Sequence, residues 1–335
     1  MSKKRSKDAH SSGSRPTNPK KSIRSSKLHE RAESIVNTSQ LGEPQFGRVI
    51  ARFGVNLQVE DSHGELHLCL TRRAVPQLVC GDHVQWCTAD SGSNVIVERL
   101  PRKTLLSRPN FSLKLKPVAA NIDVIFIVAA SEPKLDEDLI NRYLVAAALT
   151  DIPAVLIVNK VDLFTSADSE AMQKFLQIYR DVDYPILLHS NTTGLGQKDL
   201  GEMIRDKIAI FVGQSGVGKS SIIQTLLPDQ SLRIGALSDS SGLGKHTTSV
   251  TVLYPIPEGG AVIDSPGIRE FGLGHVTPGH IAQGFVEFLP YISLCKFNDC
   301  KHDKEPNCSI KEQVKLGTIS RRRYDSFKRI VQSIV

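Results

Sequence analysis

The chain has no long apolar run. No uninterrupted stretch among its 335 residues approaches the roughly 20 apolar residues that a membrane-crossing helix needs, so a membrane protein is not expected. Residues 1–40 contain no apolar segment of the kind a secretory leader carries, and their basic, serine-rich start has no amphipathic apolar stripe. A cytosolic location is the expectation. Acid is scarce at the same end: from Met1 to Arg31, ten Lys or Arg face only Asp8 and Glu30, a local charge of +8. The whole chain carries +7, so the remainder is near −1 and the excess basicity belongs to the tail. Residues 1–38, rich also in Ser, Pro and Gly, are expected to be disordered and to seek polyanions; the alternative is a solubilising leader without a specific partner. Six cysteines occur, and Cys295, Cys300 and Cys308 fall within fourteen residues, which in a cytosolic protein suggests metal before disulfide.

What is present is organised around one loop, Gly213-Gln214-Ser215-Gly216-Val217-Gly218-Lys219-Ser220, followed by Ser221. It satisfies G-x-x-x-x-G-K-[ST] in full. The apolar run Ile208 to Val212 before it reads as a buried strand. Ser220 to Leu227 after it reads as a helix with Ile222, Ile223, Leu226 and Leu227 on its apolar face. Strand, glycine loop and helix is the context in which this pattern cradles phosphate. The glycines let backbone N–H groups approach phosphate oxygens, and the helix N-terminus adds a favourable dipole. Lys219 would reach the β- and γ-phosphates and the Ser220 hydroxyl would ligand Mg²⁺.

Around this loop the texture changes twice. Residues 39–107 hold about five short period-two runs broken by turns at Asp61-Ser62-His63-Gly64 and Asp90-Ser91-Gly92-Ser93, which suits a small barrel of the OB type. Arg48, Arg52, Arg72, Arg73, Arg99 and Arg102 either give it a basic face for RNA backbone or sit on the solvent side of half-buried strands. Residues 108–275 alternate apolar strands with helices and predict six strands in an open α/β sheet covered on both faces. Residues 276–335 carry the cysteine cluster and a basic helical stretch from Lys311 to Ile334 that contains Arg321-Arg322-Arg323.

Asn159-Lys160-Val161-Asp162 ends one of those strands, at the carboxyl edge where open α/β sheets bind ligands. The Asp162 carboxylate can accept from both the N1–H and the exocyclic amine of guanine, an arrangement adenine does not offer, so it selects GTP over ATP. Asn159 would brace the phosphate loop and the Lys160 stem would cover the base. Ser190-Asn191, after the next strand, would supply the second base-side loop. Asp264-Ser265-Pro266-Gly267 fits D-x-x-G, in which Asp264 holds Mg²⁺ through water and the Gly267 N–H meets the γ-phosphate; a plain turn is the alternative. Either Thr247 or Thr248, in the glycine-rich segment Gly242 to Ser249, should ligand Mg²⁺ in the triphosphate state. In a Ras-like GTPase the phosphate loop comes first, whereas here N-K-x-D and Ser190-Asn191 precede it. The elements still project from one sheet edge, so the site survives circular permutation.

Cys295-x4-Cys300-x-His302-x5-Cys308 supplies three thiolates and an imidazole, a closed set for one structural Zn²⁺, with buried cysteines beside a surface histidine as the alternative. The permuted motif order, the N-terminal OB-like barrel and this Cys/His module together resemble the RsgA/YjeQ family of small ribosomal subunit biogenesis GTPases, from about Phe46 to the C-terminus. The resemblance implies slow intrinsic GTP hydrolysis to GDP and phosphate, stimulation by the small (30S) ribosomal subunit, contact with rRNA and a role late in subunit maturation. We expect a monomer.

Ras-like enzymes orient the attacking water with a glutamine after D-x-x-G, but Ile268 stands there. His246 is the candidate replacement, a role that the resemblance supports; a turn residue or an RNA contact is the alternative. Hydrolysis completed by a partner would then report correct docking. Two further readings compete: an RNA-binding assembly scaffold with a regulatory guanine-nucleotide site and negligible turnover, and an ATP-dependent kinase, which Asp162 and the lack of a substrate-sized extra domain oppose.

Overall fold

The computed structural model describes residues 40–109, 115–133, 135–227, 251–264 and 276–334. The period-two runs near the N-terminus form β1 (Gln45–Phe53), β2 (Asn56–Asp61), β3 (Leu66–Thr71), β4 (His83–Thr88) and β5 (Asn94–Arg99). They pair in the order β1-β2-β3-β5-β4, and β4 returns to β1, which closes the barrel. Only β3 and β5 run parallel among these pairs, as a Greek-key barrel of the OB type requires. A bulge between Val49 and Ala51 bends β1 so that one strand serves both edges. Val49, Leu57, Val59, Val84, Trp86 and Ile96 fill the interior, each nearly solvent-free. At its far end β1 meets the second sheet through the Ala51–Val252 bridge.

Between barrel and sheet stands a hairpin, β6 (Leu105–Pro109) and β7 (Leu115–Ala120), absent from the sequence-based strand count. Asn121, in the left-handed region at φ 55°, locks it to the barrel: its Nδ2 donates to Gly81 O at 2.8 Å and its Oδ1 accepts from the Lys103 N–H at 2.8 Å.

The six strands expected in the α/β region are present as β8 (Val124–Ala130), β9 (Ala154–Asn159), β10 (Ile186–Leu188), β11 (Ile208–Val212), β12 (Val252–Pro255) and β13 (Ala261–Asp264), in the order β10-β9-β8-β11-β13-β12. All are parallel except β12, which runs against β13. Every residue of β8, β9 and β11 is buried, because helices and loops cover both faces of a parallel sheet. Phe126 of β8 stacks on Phe211 of β11 at 5.0 Å between ring centroids.

Helix α1 (Glu137–Ala148) follows β8 and is N-capped by Asp136; α2 (Ser166–Arg180) starts in a Thr165/Asp168 capping box; α3 (Gln197–Ile204) and α4 (Lys219–Leu226) flank β11. Toward the C-terminus come α5 (Pro278–Gly284), α6 (Leu289–Ile292), α7 (Ser309–Leu316) and α8 (Arg321–Ile334). The single basic stretch expected from Lys311 to Ile334 is thus two helices, separated at Gly317, whose φ of 82° only glycine adopts freely. Nor is it uniformly a solvated face. Arg323 is fully buried, donates twice to Glu287 at 2.7 and 2.9 Å and lies over the Phe285 ring at 4.6 Å.

The barrel arginines are likewise mostly engaged within the fold. Arg48 pairs with Glu60 at 2.7 Å, Arg102 donates twice to the buried Asp82, and Arg52 and Arg99 donate to backbone carbonyls. Their long side chains bridge strands and loops, so the arrangement is a set of internal clamps before it is a basic face.

Candidate nucleotide site and metal centre

The phosphate loop leaves the carboxyl end of β11 and enters α4 directly. Gly213 and Gly218 lie at positive φ, and a Cβ on either would come within 2.2 Å of Val128 O or 2.3 Å of Asn159 Nδ2. Those two contacts explain why the loop needs glycine there. Gly218 caps α4 without a side-chain hydrogen bond, so no side chain competes for the first N–H groups of the helix. The Lys219 ammonium folds back over the loop and donates to Gly213 O at 2.8 Å and Gln214 O at 2.6 Å. Ser215, Gly216, Ser220 and Ser221 are exposed, while Val217 anchors the loop in the core.

The N-K-x-D residues meet this loop from the end of β9. Asn159 is buried and its Nδ2 donates to Val217 O at 2.8 Å. Lys160, at φ 61°, donates to Gly216 O at 2.8 Å and to Glu132 O at 3.0 Å. Val161 to Leu163 form one 3-10 turn, which leaves Asp162 exposed with the Ser190 hydroxyl donating to its Oδ1 at 2.5 Å. That hydroxyl, with a smaller contribution from Thr192, holds the Asp162 carboxyl below its usual range. Ser190 is itself buried and accepts the Thr193 N–H, while Asn191 beside it is exposed.

One residue of this corner carried no motif signal. His189, buried at the end of β10, has Nδ1 2.9 Å from Asn159 Oδ1. Since the Asn159 Nδ2 is committed to Val217, Oδ1 accepts and His189 Nδ1 carries the proton. Burial lowers the His189 pKa, which favours the neutral ring. The only hint in the sequence is a polar residue closing an apolar strand.

Asp264 ends β13, the strand hydrogen-bonded to β11, and so stands at the same sheet edge as the phosphate loop. His246, Thr247, Thr248, Gly267 and Ile268 lie outside the described residues.

In the C-terminal module, one ligand atom from each of Cys295, Cys300, His302 and Cys308 lies within 4.8 Å of the others. His302 Nδ1 is 3.5 Å from both Cys295 Sγ and Cys308 Sγ, and His302 is buried rather than a surface histidine. Cys308 also caps α7, whose N-terminus favours a thiolate. Burial pushes the Cys300 thiol up to about 12 and lowers the His302 pKa. A buried dication reverses the thiol penalty and takes a neutral imidazole, so the donor set fits a metal ion. The Tyr324 hydroxyl donates to His302 O at 2.7 Å, which fixes the left-handed turn at His302 and ties it to α8.

A parallel sheet with one antiparallel edge strand, a glycine phosphate loop braced by N-K-x-D, and a chain order in which the base-side elements come first define a circularly permuted P-loop GTPase. The chain matches the RsgA GTPase family profile over residues 99–274. It is 46% identical over 308 residues to the small ribosomal subunit biogenesis GTPase RsgA of Chromohalobacter salexigens, covering 91% of this chain and 90% of that protein. It is 44% identical over 302 residues to the protein of the same name from Dickeya dadantii, covering 88% and 86%. Among solved structures, YjeQ from Thermotoga maritima superposes with a TM-score of 0.73 at 30% identity, covering 87% of this chain and 99% of that one. YloQ, described as a circularly permuted GTPase, superposes at 0.68 with 24% identity, covering 87% and 95%. The chain belongs to the RsgA GTPase family and is a GTP-hydrolysing enzyme. That membership favours turnover over the scaffold alternative. Among the described residues no helix is long and apolar enough to cross a membrane.

Proposed function

We propose that this protein binds the small ribosomal subunit and its rRNA, hydrolyses GTP during late subunit maturation, and leaves when the subunit stimulates hydrolysis. The observation that carries the reading is the joint between base and phosphate elements. Asn159 on Val217 and Lys160 on Gly216 fuse a guanine-reading corner to a phosphate loop, within a family whose named members act in small-subunit biogenesis.

In this reading Asp162 accepts from guanine, and Ser190 holds its carboxylate ionised and oriented. Asn191 lines the second base-side loop. Gly213 to Ser221 wrap the phosphates with backbone N–H groups, and Lys219 leaves its loop carbonyls to neutralise charge on the β- and γ-oxygens. The hard oxygen donors of Ser220 and Asp264 suit Mg²⁺, with Thr247 or Thr248 and the Gly267 N–H completing the γ-phosphate side. Bound there, Mg²⁺ supplies charge neutralisation at the transferred phosphoryl group. Water attacks the γ-phosphorus in line, the bond to the β-bridging oxygen breaks, and GDP and phosphate result. His246 positions that water in place of the missing glutamine when the subunit is bound.

Cys295, Cys300, His302 and Cys308 hold one structural zinc, because three sulfurs and one imidazole in a closed buried set suit that ion best. We divide the chain into a basic tail (1–38), an RNA-binding barrel (39–107), the permuted GTPase domain (108–275) and the zinc module with its C-terminal helix (276–335), acting as a cytoplasmic monomer.

The test is hydrolysis of GTP and of ATP with and without purified small subunits. GTP turnover should rise with subunits and ATP should stay inert; a rate indifferent to subunits would end the proposal. His246→Ala should abolish the stimulated rate while GDP affinity stays at the wild-type level.

A further inference from the structure

Helix α1 is held on two sides by elements of different purpose. At about 100° per residue, Asp136, Leu139, Ile140 and Tyr143 fall on one side of it, and Asp138, Asn141 and Val145 on the opposite side. The first side lines a narrow cleft under the phosphate loop, against Gly213 and Val217. Tyr143 is 3% exposed and lines this cleft together with Gly213, its phenol beside the Gly213 backbone N–H. Gly213 is therefore confined three ways: by the Tyr143 phenol beside it in the cleft, by the Lys219 ammonium on its carbonyl, and by the Val128 backbone against its α-carbon. The placement of its carbonyl sets where the Lys219 ammonium starts.

The second side belongs to α8. Arg323 Nη1 donates to Asn141 Oδ1 at 2.6 Å, Asn141 Nδ2 donates to Ser326 Oγ at 2.7 Å, and Ser326 Oγ donates to Asp138 Oδ1 at 2.6 Å. Arg329 adds two donations to Asp138, at 2.7 and 2.8 Å. Asn141, Arg323 and Ser326 are all solvent-free, so this network cannot loosen without stranding buried polar groups.

We propose that Tyr143 is a positioning residue for the phosphate loop and that, through it, α1 transmits the seating of the C-terminal helix to the nucleotide. A partner that reseats α8 then alters phosphate binding without touching the nucleotide. This rests on residues 213–221 being the phosphate site. It also gives the metal module a route to that site, since His302 is tied to α8 through Tyr324.

The test uses the full chain as wild type, Tyr143→Phe, Ser326→Ala and the double variant, each shown to be folded by its thermal transition. Fluorescent GDP titration, displacement by guanosine, and single-turnover GTP hydrolysis are measured. Tyr143→Phe should weaken GDP about 3–10-fold, the scale of one lost hydrogen bond, slow hydrolysis and leave guanosine affinity unchanged. Ser326→Ala should act the same way by a smaller factor, and the double variant should lose less than the product of the two. Wild-type GDP affinity in either single variant, an equal loss for guanosine and GDP, or strictly multiplicative losses would each overturn the proposal. A wild-type chain that binds guanosine and GDP equally would instead remove the phosphate-site reading beneath it.

Discussion

Asp162→Asn preserves shape and exchanges one carboxylate oxygen for an amide nitrogen. In the folded protein the Ser190 hydroxyl takes one position on Oδ1 and leaves the remaining lone pairs for the N1–H and exocyclic amine of guanine. The amide keeps one acceptor, without its charge, and turns the other into a donor facing the exocyclic amine, so one charge-assisted hydrogen bond is lost and a donor is left against a donor. A hydrogen bond to a charged acceptor contributes about 1.5–3 kcal/mol, and with the opposed donors the change costs about 3–6 kcal/mol. That corresponds to a roughly 10²–10⁴-fold weaker GDP complex. Xanthine carries a carbonyl where guanine carries the amine, so the new amide donates to it and xanthosine diphosphate should overtake GDP. Displacement of a fluorescent nucleotide by GDP, xanthosine diphosphate and ADP measures all three in one plate. The sign of the pH dependence follows from the lowered carboxyl. The ionised form is favoured in the fold, its contribution is fully present above the ordinary value of 3.8, and it is lost only as pH falls through the lower folded value. Guanine preference should therefore be flat from roughly pH 8 to pH 5 as far as this group is concerned. A variant that keeps the wild-type order of preference would refute the assignment of Asp162 to the base.

Arg323→Met should cost about 3–5 kcal/mol, because it leaves the Glu287 carboxylate, only 7% exposed, buried without its partner. Adding Glu287→Leu should recover most of that loss in urea unfolding; a single variant as stable as wild type would show that the pair contributes nothing. His189→Ala should weaken GDP by an order of magnitude or so by freeing the Asn159 amide, and His189→Thr, which restores a donor, should recover part of it. If both variants bind GDP like wild type, His189 is packing alone. Purified protein should carry about one zinc per chain and lose it as pH falls, since protons compete for three thiolates. Metal-free protein with the same thermal transition would dismiss the metal centre.

Much of this was readable before any tertiary contact was known. The glycine loop, the N-K-x-D turn and the Cys/His spacing are local patterns whose chemistry depends on a few neighbouring residues. The six α/β strands were visible because a strand buried on both faces must be apolar throughout. The β6–β7 hairpin was not, since its pairing is short and lacks a clear alternation. Helices α7 and α8 looked like one basic stretch because Gly317 is tolerable within a helical pattern until its positive φ is seen. Most of the barrel arginines looked available to a polyanion for a similar reason: nothing local announces that Arg48 meets Glu60 or that Arg102 meets Asp82.

By itself the sequence determined what kinds of chemistry are possible: a phosphate cradle, a carboxylate that reads guanine, a soft-ligand cluster and the order in which they occur. The tertiary structure decided which polar groups are engaged and with what. His189 on Asn159, Tyr143 on Gly213, and Arg323 between Glu287 and Asn141 all join residues far apart in the chain. Backbone conformation and periodicity are encoded over a few residues. The partner of a buried polar group is selected by packing across the whole fold, where leaving it unpaired is what costs most.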